Sequence, residues 1–257
     1  MNRVPISDWT LRTDLAAALR SASRMGLGEG VCNHFSAELP EQPGAFLVNP
    51  QGLHWSEITP DDLVVVDASG NRISGRHPVE PTAFFIHSAI HRHNPRARCV
   101  LHTHMPYATS LTVVHGGRLE WASQNALKFY GRVAYDDNYN GLALDDSEGR
   151  RMCAAMGDAD LLFLGNHGVI VTGPRLPETF DDLYYLERAC MFQVLGMGTG
   201  RALRVIPEEV AARTSRQMTG DPTQAVLHFE ALKRLLDRDE PGWRGSAGMP
   251  TGGTPAP

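Results

Sequence analysis

No stretch of this 257-residue sequence gathers lysine and arginine into a basic stripe, and the formal net charge is −5. Phosphate backbones are held by clustered positive charge, so nucleic acid is not expected as a partner. Paired cysteines are missing too. Cys32, Cys99, Cys153 and Cys190 show no C-x-x-C spacing. They read as free thiols of a reducing compartment and leave no means of building a structural zinc site. No apolar run reaches the ~20 residues that cross a bilayer. The opening MNRVPISDWTLRTDLAAALR lacks the apolar centre of a secretory leader and reads as an amphipathic helix starting near Asp8. These absences together imply the cytoplasm and no membrane partner. No G-x-S-x-G is present, which excludes a serine-hydrolase elbow. GLGEG is a turn and not a dinucleotide fingerprint, because the third glycine of G-x-G-x-x-G would fall on Val31.

Hydrophobic residues make up 42% of the chain, enough for one sizeable core or two small ones. No linker interrupts the sequence before Glu240, so residues 1–240 read as one domain. Residues 241–257, rich in Gly and Pro, read as a flexible tail. A helix is expected over roughly Trp9 to Met25. HFSAELP and AFLVNP read as short strands split by the EQPG turn, and LVVVDASGN as a strand entering a turn. PTAFFIHSAIHRHNP reads as a helix, with Pro81 in its first turn and Pro95 just past its end. RCVLHTH and GRVAYDD read as strands, SEGRRMCAAMGD as a helix, and LLFLGNHGVIVTG as two strands hinged at Gly165 to Gly168. Two helices follow, LPETFDDLYYLERACMFQVLGMG and TQAVLHFEALKRLLDRD. Helices alternating with single and paired strands fit a mixed sheet flanked by helices.

Eleven histidines are more than a surface needs, and several crowd between His77 and His104. In VLHTHMPYAT, His102 and His104 stand at i and i+2 on a strand, so both side chains point to one face at its C-terminal end. Such strand ends commonly carry ligand sites in α/β folds. The pair is either solvated or bound to a metal. His167 sits in an otherwise apolar run, so it is either a hydrogen-bonded core residue or aimed at a ligand. The flanking Gly165 and Gly168 permit a turn that residues with a β-carbon would resist. The three imidazoles together suggest a tri-histidine site for Zn²⁺, Fe²⁺, Mn²⁺ or Co²⁺. Three protein ligands leave one coordination position open, as in catalytic metal sites. His87 and His91 share a helix face at i and i+4. Ser88 follows His87 where H-E-x-x-H requires glutamate, so the pair reads as structural.

The strings GLGEGVCNHFSAELP, FLVNPQGLHWSEITPDDLVVVD, FFIHSAIHRHNPRARCVLHTH and LGNHGVIVTG resemble the class II aldolase/adducin family over nearly all of Leu11 to Leu203. The resemblance implies a three-layer α/β/α fold around a mostly antiparallel sheet, and assembly as a homotetramer. It also implies His102, His104 and His167 as ligands of a divalent metal, usually zinc. Family members include sugar-phosphate aldolases, a pentose-phosphate epimerase, aromatic-acid decarboxylases and the non-enzymatic adducin head domain. FFIHSAIH and YDDNYNGLAL look most like the adducin branch.

Two departures from the aldolases matter. The aldolase proton-transfer glutamate follows two serines. Without a gap that position is Ala83; a short gap brings Glu80 into register as the general base. The alternative role of Glu80 is a carboxylate favoured by the helix dipole beside Pro81. The aldolase phosphate pocket uses small residues and backbone amides. Here its positions read Cys32-Asn33 and Pro81-Thr82, where Cys32 crowds the approach and Pro81 has no N–H to give. Asn33 and Thr82 remain as hydrogen-bonding candidates, and Gly52 in NPQGLHW keeps the family glycine. A sugar phosphate is therefore not the expected substrate. The resemblance implies a lyase that breaks a C–C bond of a small hydroxy or oxo substrate through a metal-stabilised enolate. Its alternatives are a decarboxylase of a hydroxyaromatic or β-keto acid, an oxygen-activating iron site, and a non-catalytic adducin-like binding module.

Overall fold

The structure, a computed structural model, describes residues 6–248. Its centre is an eight-stranded sheet built from β1 (His34–Glu38), β2 (Phe46–Val48), β3 (Val64–Val66), β4 (Arg72–Ser74), β5 (Cys99–Thr103), β6 (Val133–Asp136), β7 (Leu161–Leu164) and β8 (Gly168–Gly173). The strand order is β4-β3-β2-β1-β5-β8-β7-β6. Every pairing is antiparallel except β6 with β7. Helices cover both faces, which gives the three-layer α/β/α architecture with a mostly antiparallel sheet.

Side-chain alternation along the strands sorts residues between the two faces. Phe35, Leu101, Phe163 and Val171 join the core beneath α1 (Ile6–Arg24) and α6 (Leu176–Met197). Val100, Leu162 and Ile170 join a second core under α2 (Pro81–His93) and α5 (Asp146–Met156). On this second face His34 pairs with His102 and Ser36 with Val100 in the β1–β5 register. The polar residues of the site therefore share a face with α2.

The expected helices and strands form, with boundaries shifted by a few residues. Five elements escape the sequence reading: β4, α3 (Pro106–Thr112), α4 (Gln124–Leu127), a 3₁₀ turn over Gly245–Gly248 and, last, α7 (Glu208–Thr219). The last had signals in the sequence, since Pro207 precedes it, Glu208 and Glu209 fill its first turn, and Gly220 follows it. α8 (Thr223–Asp239) completes the helical set.

Residues 241–246, which the sequence reading assigns to the tail, pack against the domain. Trp243 is only 2% exposed and belongs to the main core. Its indole N–H donates to Asp237 at 2.8 Å, and Ser246 donates through its amide (2.7 Å) and hydroxyl (2.6 Å) to Asp61. Residues 249–257 lie outside the described residues. One buried aromatic outweighs a Gly/Pro-rich context, because docking its ring removes a large apolar area from water. Trp243→Ala is expected to lower the unfolding free energy by about 3–5 kcal/mol, measured by urea titration. A change within about 0.5 kcal/mol would mean that the segment contributes no core packing.

Candidate metal centre and active site

β5 ends at Thr103, and its last turn of side chains meets the start of β8. His102 is buried on the α2 face, and its Nδ1 lies 3.0 Å from the Val169 carbonyl oxygen. That carbonyl can only accept, so Nδ1 carries the hydrogen and Nε2 presents a lone pair. His104 follows the strand end. Its backbone N–H donates to Asn33 Oδ1 at 3.2 Å, and its Nδ1 lies 2.5 Å from Glu29 Oε2. The same logic leaves His104 Nε2 as the acceptor, and this atom is buried without a protein partner.

His167 sits in the β7–β8 turn. The sequence reading gives Gly165 and Gly168 the turn's unusual conformation, but the left-handed residue is Asn166, at φ 57°. Asparagine tolerates this region because its short side chain bonds locally. The glycines serve close approach instead. A β-carbon on Gly168 would lie 2.5 Å from the Thr103 carbonyl oxygen and 2.8 Å from His104 Cδ2. One on Gly165 would lie 3.0 Å from the Asp137 backbone. Bare backbone at both positions lets the turn press against the end of β5.

The result is convergence. The ring centroids are 5.1 Å apart for His102–His104 and 4.8 Å for each of His102–His167 and His104–His167. One ligand nitrogen from each ring can be chosen so that all lie within 4.8 Å of one another. Burial, with the neighbouring imidazoles second, holds His102 well below its ordinary pKa. Burial and then His104 and His34 bring His167 down to about 4, against an opposing pull from Glu148. Imidazoles grouped in this way, two of them oriented by acceptors behind the ring, could hold a divalent metal. The orphaned Nε2 of His104 is the observation that a metal would satisfy.

The triad opens into a cavity of about 720 Å³ that also carries His34, Glu80, Thr82, Gly52 and Tyr139 on its walls. Glu80 is the N-cap of α2: Oε2 accepts the Ala83 amide at 2.8 Å and the Thr82 hydroxyl. Burial alone would raise its pKa, but His34, Thr82 and the Ala83 amide draw it down to about 2. His34 Nε2 stands 3.3 Å from the same oxygen, off the hydrogen-bond axis, so the contact is electrostatic. Glu80 is thus a helix cap, in keeping with the helix-dipole role, and it also lines the triad's cavity. Ala83 is buried and contributes only its amide.

The other sequence candidates divide. Gly52 lines the cavity at φ +85°. Thr82 lines it too, with its hydroxyl given to Glu80. Asn33 is 1% exposed, and its Oδ1 is committed to the backbone amides of Glu29 (3.0 Å) and His104. Only its buried Nδ2, which finds no protein partner, remains for a ligand. Asn33 therefore fixes the first loop against His104.

The sequence reading assigns no role to Glu29, His34 or Tyr139. Glu29 meets His104 across 75 positions of chain, and His34 reaches its place through the β1–β5 register. No local spacing signals either contact. His87 and His91 are interior residues bridged by Ser36, whose Oγ lies 2.6 Å from His87 Nδ1 and 2.7 Å from His91 Nε2. His91 Nδ1 donates to the Ala97 carbonyl at 2.8 Å, so its Nε2 accepts the Ser36 hydroxyl and His87 donates to Ser36. His34 packs edge-on against His87 with centroids 5.7 Å apart.

Comparison with known proteins agrees with this geometry. A solved aldolase II superfamily protein from Pseudomonas syringae superposes with a TM-score of 0.87 at 35% identity, covering 94% of this chain and 98% of the other. The L-fuculose 1-phosphate aldolase of Glaciozyma antarctica superposes with a TM-score of 0.80 at 26% identity, covering 93% and 96%. The decarboxylase NovR of Streptomyces niveus is 31% identical over 228 residues, 86% of this chain and 84% of that protein. Residues 13–194, which carry all three histidines, match the family described as the Class II Aldolase and Adducin N-terminal domain. With the layered fold and a match spanning most of its length, the chain belongs to the class II aldolase/adducin family.

Proposed function

We propose that this protein is a metal-dependent carbon–carbon lyase that holds zinc on His102, His104 and His167. The observation that carries the reading is the convergence of three imidazoles, two backed by Val169 O and Glu29, around one buried unsatisfied nitrogen. A bound divalent cation would supply Lewis-acid stabilisation of negative charge developing on a substrate oxygen. Glu80, ionised throughout the neutral range and on the cavity wall, would take a hydroxyl proton. A carboxylate held at about 2 is a weak base, so substrate must draw away His34 or Thr82 before Glu80 accepts a proton. Those polar groups would then steady the substrate oxygen that replaces the carboxylate.

Decarboxylation is the second reading, and a specific likeness favours it: a relative covering most of the chain is named a decarboxylase. The two reactions share the need to stabilise an enolate and differ in whether a base must remove a hydroxyl proton. Assembly as a homotetramer in the cytoplasm, with a small molecule as partner, completes the proposal. Exposed Val113, Val114, Phe192 and Leu195 would be covered by self-association.

The test is elemental analysis of the purified protein, followed by a turnover screen of aldols, β-keto acids and hydroxyaromatic acids. One zinc per chain and turnover of a member of one class are expected. A protein that holds no transition metal would refute the reading. Stoichiometric metal without any turnover would make it an adducin-like binding module.

A further inference from the structure

The walls of the triad cavity carry a charge pattern that selects against phosphate. Among the described residues, no lysine or arginine lines it, and its acidic members are Glu29 and Glu80. A phosphate dianion seated on these walls would lie beside two carboxylates with no basic side chain to meet it. The nearest helix N-terminus offers no cradle either. Pro81 at the start of α2 has no N–H, the Ala83 amide is taken by Glu80 Oε2, and the Phe84 amide is taken by the Glu80 carbonyl at 3.1 Å. A helix start binds anions through free amides, and here the protein's own carboxylate occupies that place.

The mouth of the cavity is apolar. Val31 from the first loop and Tyr139 and Leu142 from the β6–α5 loop line it, and they are 41%, 52% and 70% exposed. Large apolar side chains standing in water at a cavity rim need an explanation that scattered surface residues do not. The β6–α5 loop is anchored at both ends. Arg151 ties the buried Asp136 to Glu148, the Asn138 amide donates to Asp136 at 3.1 Å, and Asp145 caps α5 by accepting the Ser147 amide at 2.8 Å. The Tyr139 ring stands 6.3 Å from the His167 ring, so the apolar rim adjoins the metal ligands.

We propose that the substrate carries no phosphate and presents an aryl or alkyl body to Val31, Tyr139 and Leu142 while its oxygen-bearing head meets the metal centre. These three residues are then specificity determinants. The inference rests on the metal-site reading above and names the substrate class for that site.

The zinc-loaded protein is titrated calorimetrically with 4-hydroxyphenylpyruvate, with pyruvate, which has the same head and no apolar body, and with dihydroxyacetone phosphate. The arylpyruvate is expected to bind at least ~10-fold more tightly than pyruvate, the range that apolar pocket contacts discriminate, and dihydroxyacetone phosphate most weakly. Leu142→Ser should reduce the arylpyruvate-to-pyruvate ratio several-fold, and the double variant Val31→Ser/Leu142→Ser should bring it near one. Tightest binding of dihydroxyacetone phosphate overturns the inference. So does a ratio unmoved by the variants, including the case where they alter only the oligomeric state and mark the rim as a contact between copies. Retained zinc without aryl preference refutes this inference alone, whereas failure of the wild-type protein to hold zinc refutes the site reading and this inference with it.

Discussion

His102→Ala is expected to reduce bound metal from one per chain to background and to abolish turnover. The same outcome is expected for His167→Ala. Three ligands are the minimum set of the catalytic type, and removing one leaves a two-imidazole site with no fixed geometry. The effect should be graded by distance from the ion. Glu29→Gln leaves all three imidazoles in place but weakens the acceptor behind His104 Nδ1. It is expected to cost ~10–100-fold in metal affinity, as second-sphere changes do. Competitive titration with a chelator, read alongside elemental analysis, measures both. Stoichiometric metal retained by His102→Ala or His167→Ala would refute the ligand assignment. His102 is buried, and its side chain stacks near His34 at a centroid distance of 5.6 Å, so its variant also leaves a cavity. His167 is only partly buried, so its variant separates metal loss from misfolding.

Glu80→Gln is expected to lower kcat by ~100- to 10,000-fold while metal content stays at one per chain, the range for loss of a general base. The amide oxygen of glutamine can still accept the Ala83 N–H, so the cap of α2 survives. Glu80→Ala should lose the cap as well, at about 1 kcal/mol of stability, with no deeper loss of activity than the glutamine variant. Comparing the two variants by steady-state kinetics and urea titration separates the chemical role from the structural one. If Glu80→Gln keeps wild-type kcat on an aldol substrate, the carboxylate is a helix cap only. Full activity on a carboxylic acid substrate, with loss on the aldol, would point to decarboxylation, in which no hydroxyl proton need be removed.

How much of this site could be read along the chain depends on the sequence separation of each contact. The His-x-His pair is legible because the strand period puts i and i+2 on one face. His167 stands out because an imidazole in an apolar run needs a reason. Glu80 and Thr82 are legible only as candidates, since the register of the α2 start against the aldolase pattern depends on a gap that spacing cannot place. Asn33 reads from the sequence as a ligand for substrate. Its place under His104 follows from how the first loop folds back, a contact 71 positions away. Trp243 shows the same limit in the core, where its Gly/Pro-rich setting reads as tail although its ring joins the main core and its indole N–H bonds to Asp237 of α8.

By itself the sequence determined the alternation of strands and helices, the three candidate imidazoles and the departures from the aldolase phosphate pocket at Cys32 and Pro81, because each of these is written in neighbouring residues and their periods. Only the tertiary structure decided that β1, β5 and β8 lie side by side. That pairing brings His34 opposite His102, sets Glu29 behind His104 and presses the bare backbone of Gly168 against the end of β5. The reason is physical: a strand's partner is chosen by burial of its whole face against distant segments, and no local period records that choice.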